Sequence, residues 1–141
     1  MNAPLYTIEI LRLAASLAEP RELERVDGRA EVRSPTCGSR IATMVVLDAD
    51  GRVEALSQQV HACAFGQASA SLLEKGVTGR RREEIHAALS QLDSWLGGSE
   101  GLPDWPNIDA LAPARSRKSR HGAILLPFRA LLAAMDGTAL G

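Results

Sequence analysis

The stretch from Arg40 to Ala62, "RIATMVVLDADGRVEALSQQVHA", constrains the fold more than any other part of the chain. Two β-favouring runs flank "DADG", and an Asp/Gly turn between such runs predicts an antiparallel hairpin. "DADG" also resembles a fragment of a calcium loop, but the spaced downstream ligands and the closing glutamate are missing. Upstream, "ERVDGRAEVR" from Glu24 to Arg33 is short and partly alternating, as an edge strand would be. Downstream the period changes. "AFGQASASLLEKG" is rich in small residues and reads as a helix over 64–75, with Gly76 as its C-cap.

The remaining elements are helical. Ile8, Ile10, Leu11, Leu13, Ala14 and Leu17 form a broad stripe, which predicts a helix over 6–18 ended by Pro20. In "RRREEIHAALSQLDSWLGG" the residues Ile85, Leu89, Leu92 and Leu96 recur at helical spacing before a Gly-Gly stop, giving a helix over 80–96. "SEGLPDWPNIDALAPA" has three prolines and no periodicity, so an insert over 99–120 reads as loop. A last helix over 124–136 stops at Gly137. Pro127 fits only a first turn, so this helix either begins near Leu125 or is kinked there. A sheet over about 24–62 followed by helices implies the α+β class: a small antiparallel three-stranded sheet with helices packed on one face, in a single domain over 1–141.

Composition narrows the function. A formal net charge of −1 gives no global field for nucleic acid or an anionic membrane, and 4% aromatic residues argue against a base-stacking surface. No apolar run approaches the roughly 20 residues of a membrane span. The N-terminal "MNAPLYTIEILRLAASLAEP" carries an acidic residue in its apolar portion and reads as an amphipathic helix, not a signal peptide. The expected location is cytoplasmic, where two cysteines argue for metal binding or thiol chemistry over a disulfide.

Cys37 lies in "RSPTCGSR", bracketed by Pro35 and Gly38, in a tight turn that feeds the first hairpin strand. Cys63 follows the second hairpin strand and opens a helix, where free N–H groups and the positive dipole end favour a thiolate. With the turn at Asp48–Gly51, the two cysteines stand about 12 residues either side and come to the same end of the sheet. The plainer alternative is that each is a small buried hydrophobe. His86, next to apolar Ile85 on a polar helix flank, reads as solvated. The basic run "RSRKSR", Arg115 to Arg120, reads as a solvated loop or as a docking patch for an acidic partner; it has no interleaved aromatics to suit nucleic acid. Trp95 and Trp105 flank the insert and read as its anchors.

"SPTCGSRI", the hairpin, "ACAFGQASASLL" and then "GVTGRRREEI" resemble the U-type iron–sulfur cluster assembly scaffolds: the NifU N-terminal domain and its SufU and IscU relatives. The resemblance runs from the first helix through "EPREL" to the last helix, and the long Pro-containing insert is more similar to the SufU branch. It implies a site of three cysteines and an aspartate for zinc or a nascent [2Fe–2S] cluster. Cys37 matches the first cysteine and Cys63 the second. Ser39 stands where the aspartate is usual, and no cysteine follows Cys63. Gly122 falls in the third cysteine's place, beside His121, which matches a histidine of the IscU branch. Cys37, Cys63 and His121 would form a Cys2His set with one open position, since zinc accepts mixed ligands and histidine replaces some cluster thiolates. Ser39 and His61 are weaker candidates; His61 shares a face with Cys63 if the strand persists.

The resemblance implies a scaffold, not an enzyme, that binds iron, zinc or a labile [2Fe–2S] cluster and passes it to acceptor proteins, with a cysteine desulfurase as sulfur donor and a monomer or weak homodimer as the working form. Two alternatives stand beside it. One is a degenerate paralogue acting as a desulfurase-interacting or regulatory protein. The other is a SufU-like sulfur acceptor using Cys63 or Cys37.

Overall fold

The computed structural model describes residues 6–35 and 38–137. Its elements in chain order are α1 (Ile8–Ala15), β1 (Gly28–Arg33), β2 (Arg40–Leu47), β3 (Val53–His61), α2 (Ala64–Gly76), α3 (Arg82–Leu96), a 3-10 helix (Ile108–Ser116) and α4 (Lys118–Met135). The strands form one antiparallel sheet in the order β1-β2-β3. The α+β class is therefore the observed one, and α2 and α4 lie against the sheet.

The hairpin closes as its turn chemistry requires. Asp48 Oδ1 accepts from the N–H groups of Asp50 and Arg52, each at 2.9 Å. Gly51, at φ +81°, takes the left-handed position. The Asp48 carboxylate is thus used to shape the turn. Register pairs Val45 with Leu56 and Arg40 with His61, with an irregularity at Val46/Leu47. Ile41, Thr43 and Val45 face the core, while Arg40 and Ala42 share an outward groove with Gln59, His61 and Glu31. β1 is the edge strand, but it starts at Gly28 and not Glu24. Asp27 uses its side chain instead, accepting from Leu47 N at 2.8 Å; this bond, with help from Arg25, holds its carboxyl below the ordinary value.

The bounds of α1, α2 and α4 depart from expectation for local reasons. α1 is shorter at both ends, because Thr7 Oγ1 caps it at Ile10 N (3.1 Å) and Ser16 Oγ turns back onto the Leu13 carbonyl (2.9 Å). Gly76 does not cap α2; it is the last helical residue, and Val77 follows as the cap. A Cβ at Gly76 would stand 2.8 Å from Trp105 Nε1, so the glycine is there to admit an indole. α4 begins at Lys118, about two turns before Leu125, and carries Pro127 in its interior. The proline gives no N–H to the Ala123 carbonyl. One residue on, Ser69 Oγ of α2 donates to the Ile124 carbonyl at 2.6 Å, serving the backbone next to the proline step.

The insert is not a featureless loop. Ile108, Leu111 and Ala114 are buried at a spacing of three, the period of the 3-10 helix that carries them. Trp105 anchors it: Nε1 donates to the Leu72 carbonyl at 2.8 Å, the ring meets Phe128 edge-on at 5.2 Å, and Arg80 lies over its face at 4.1 Å. Trp95 is buried too, under Arg115. No helix among the described residues is long and apolar enough to cross a membrane.

Candidate metal centre

The direction of α4 across the sheet decides what meets at its end. Near its C-terminus α4 touches β1 so closely that a Cβ on Gly28 would stand 1.9 Å from the Ala134 carbonyl oxygen. Farther back, Leu126 and Ala130 pack with Ile41, Val32 and Val60, at the other end of the strands. The first turn of α4, with His121 and Gly122, therefore reaches beyond the end where β1 passes to β2 and β3 passes to α2. Both cysteines belong to those two connections.

Cys63 occupies the N-cap position of α2 with extended backbone (φ −66°, ψ 174°), and its side chain makes no capping hydrogen bond. It is half-buried against the main core cluster. Its carbonyl accepts from Gln67 N at 2.9 Å, and Gln67 Nε2 donates to the Ala62 carbonyl at 3.0 Å, so backbone and side chain both fix the mouth of the helix. The thiol is left uncommitted at the first turn of the helix.

Cys37 itself lies outside the described residues, as does Thr36. The loop that carries it is closed at its base, where Ser34 N donates to the Ser39 carbonyl at 2.8 Å. Gly38 sits at φ +74°, a conformation that suits glycine alone without strain. Ser39 is buried. The loop starts from Arg33, paired with Arg40, and Arg40 in turn pairs with His61, two residues before Cys63. Register thus brings the Cys37 loop and Cys63 to one end of the sheet.

The histidines are placed differently from one another. His121 Nε2 lies 2.9 Å from the Ala114 carbonyl oxygen and 3.2 Å from that of Arg115. Carbonyl oxygens only accept, so Nε2 carries the proton and donates to the end of the 3-10 helix; Nδ1 is the nitrogen left for a ligand. His61 is the last residue of β3, and the strand does not persist to Cys63. His61 is exposed in the outward groove with Arg40 and Gln59, whereas Cys63 packs on the core side. His86 is exposed on α3. In the basic run, Arg115 is taken up internally, donating to the carbonyls of Trp95 (2.9 Å) and Ser99 (2.7 Å). Arg117 and Lys118 are exposed and Arg120 is half-exposed at the start of α4.

Among the described residues no group of three or more His, Cys, Asp or Glu side chains is arranged to hold a metal ion. The donors present do not fit a closed four-ligand centre within one chain. The sequence offers two thiols, Cys37 and Cys63, Ser39 carries only a hydroxyl, and the Nε2 of His121 is engaged elsewhere. A residue that sequence reading passed over is Gly66. A Cβ there would stand 2.6 Å from Ala62 Cβ and 3.3 Å from the Ala123 carbonyl, so this glycine lets α4 close on the helix mouth beside Cys63. Its only signal in the sequence was its position three residues after Cys63.

No curated protein gives a sequence match. A solved structure of the N-terminal part of a nitrogen-fixing NifU-like protein from Brucella abortus is 30% identical, covers 94% of this chain and 93% of its own, and superposes with a TM-score of 0.85. A putative iron–sulfur cluster assembly scaffold protein for the SUF system, from thermophilic Fervidobacterium islandicum AW-1, shares the fold at a TM-score of 0.80 with 17% identity, covering 93% of this chain and 96% of that one. The family model of the NifU-like N-terminal domain matches residues 9–103, from α1 into the insert. The chain belongs to the NifU-like N-terminal domain family, the U-type scaffold family.

Proposed function

We propose that the protein is an iron–sulfur cluster assembly scaffold-like carrier, a binding and transfer module without catalytic turnover, whose working groups are the thiols of Cys37 and Cys63. The observation that carries this reading is the uncommitted Cys63 side chain at the mouth of α2, at the sheet end from which the Cys37 loop also springs. Iron, zinc or a labile [2Fe–2S] cluster is cargo here. Two thiolates hold it, His121 offers at most Nδ1, and the remaining coordination is open to donors from outside the chain. An open coordination sphere loads and unloads readily. The family implies a cysteine desulfurase as sulfur donor and iron–sulfur proteins as acceptors.

Anaerobic reconstitution with iron, cysteine and a desulfurase tests this. Visible-range cluster absorbance or bound zinc in the wild type, lost in Cys63→Ser and in Cys37→Ser, is the expected result. No bound metal and no absorbance in the wild type overturns it, and capture of a desulfurase by such a metal-free protein would identify a regulatory interaction protein instead.

The two-thiol inventory also favours a second reading, a sulfur acceptor. A Cys63 thiolate attacks the terminal sulfur of a donor persulfide, the donor leaves as a thiolate, and Cys63 becomes the persulfide: R–S–SH + Cys63–S⁻ → R–S⁻ + Cys63–S–SH. No net oxidant is needed. A mass gain of about 32 Da on Cys63 or Cys37 after incubation with a loaded desulfurase supports it; an unchanged mass rules it out.

A further inference from the structure

Beside the edge strand β3, residues of the 18–21 connection and of the end of α2 bound a cleft of about 190 Å³. Three carboxylates line it, Glu19, Glu54 and Glu74, against one cation, Arg21. Among the described residues Glu19, Glu74 and Arg21 form no ion pair, and Glu54 has only Arg25, at 3.8 Å. Lys75, next to Glu74 in sequence, commits its Nζ to Ser16 Oγ at 2.9 Å and Ser71 Oγ at 2.5 Å.

A buried amide in the same cleft points to a ligand independently of these charges. Gln58 lines the cleft and is 4% exposed. Its Nε2 donates to the Ala70 carbonyl at 3.1 Å, which fixes the orientation of the amide, and its Oε1 has no hydrogen-bond partner. Half-buried Glu74 accepts from Ala18 N with both oxygens, at 3.1 and 3.3 Å. Burial pushes its carboxyl above the ordinary value, although the Ala18 hydrogen bond, the Lys75 charge and the Gln58 amide act the other way. Gln58 Oε1 and ionised carboxylates only accept, so the group that suits them carries several N–H donors, no acceptor and a positive charge. The carbonyl end of α2 favours the same sign. No three His, Cys, Asp or Glu side chains among the described residues are arranged for a metal ion, and Leu56 and Val77 give the cleft an apolar wall.

We propose that this cleft binds a primary ammonium group on a short alkyl stem, with the ammonium donating to Gln58 Oε1 and the Glu74 carboxylate and the stem lying on Leu56 and Val77. Glu74 is three turns along α2 from Cys63, about 16 Å by the helix rise, so the site is separate from the thiols and independent of their role.

The test is a titration of the whole chain with propylammonium chloride, followed in NMR spectra at the side-chain amide of Gln58 and the backbone amide of Thr78, which also lines the cleft. Saturable shifts of both signals are expected, and none with propanol, the uncharged counterpart, or with potassium chloride at the same concentration. Glu74→Gln removes the charge yet keeps an acceptor for Ala18 N, and Gln58→Leu removes the amide; each should weaken binding by about tenfold, read at Thr78. Glu100→Gln, the same charge change at an exposed position elsewhere, should leave it at the wild-type value. A short blocked lysine peptide separates the two sources of such a group. Binding at least as tight as that of propylammonium makes the ligand a lysine side chain of another protein, and weaker or no binding makes it a free small amine. Shifts that propanol or potassium reproduces, shifts that do not saturate, or wild-type affinity in either cleft variant overturns the proposal.

Discussion

The two ends of the sheet are built to different standards. At the hairpin end, Asp48 shapes the turn, Asp27 ties to Leu47, Arg82 pairs with Asp136, and α4 lies directly on Gly28. Each group there has a partner in the chain. At the opposite end a thiol caps a helix without using its side chain, and arginines face each other across a ladder. The difference separates what holds the fold from what is left available to something outside it. Exposed ion pairs contribute little individually, so the hairpin end gains most from packing and turn geometry.

The sharpest way to break this comparison is to damage each end in turn. Gly28→Ala drives a Cβ into the Ala134 carbonyl and should cost about 3 kcal/mol in urea unfolding, with the alkylation rate of the thiols in the folded protein unchanged. Gly66→Ala at the other end makes a smaller overlap, 2.6 Å to Ala62 Cβ, and should cost about 1–2 kcal/mol, yet it should alter Cys63 alkylation, because it pushes Ala62 and Ala123 away from the helix mouth. If Gly28→Ala changes thiol reactivity as much as Gly66→Ala, the two ends are not separable.

How much of this was legible in the sequence follows from where the signals were local. The hairpin, the class and the placement of Cys63 at a helix mouth could be read because turn residues and period changes act over a few positions. The role of Gly76 is not legible because its neighbour, Trp105, is distant in sequence, and a glycine that admits an indole looks like a glycine that ends a helix. The start of α4 was hidden by Pro127, whose cost is met by packing and by Ser69 from another helix. The 3-10 helix did leave a trace, the spacing of Ile108, Leu111 and Ala114, but a search for a period near 3.6 passes over a period of three. The candidate site was legible as residue types. The commitment of His121 Nε2 to two carbonyls was not, since it depends on the insert folding back.

Smaller effects sharpen the same contrast. His121→Ala removes the donor to Ala114 and Arg115 and should cost about 1 kcal/mol, while iron per chain after reconstitution stays near wild type. A loss of iron as complete as in Cys63→Ser would make His121 a ligand and not a brace. The smallest effect is expected for Asp136→Asn. The Arg82 hydrogen bond holds the Asp136 carboxyl below its ordinary value of 3.8, so its contribution is present above that value and is lost as pH falls through the lowered one. The variant should therefore be slightly less stable than wild type at neutral pH, with the gap closing in acid, as followed by thermal unfolding across pH.

The proposed carrier uses Cys37 and Cys63 as a pair at one end of the sheet. Phenylarsine oxide, which bonds two thiols to one arsenic, tests that without metal or partner. The expected result is uptake of one arsenical per chain by the folded monomer and protection of both cysteines from alkylation together, with uptake abolished by either single Cys→Ser change. Independent alkylation of the two cysteines in the presence of the arsenical would contradict it.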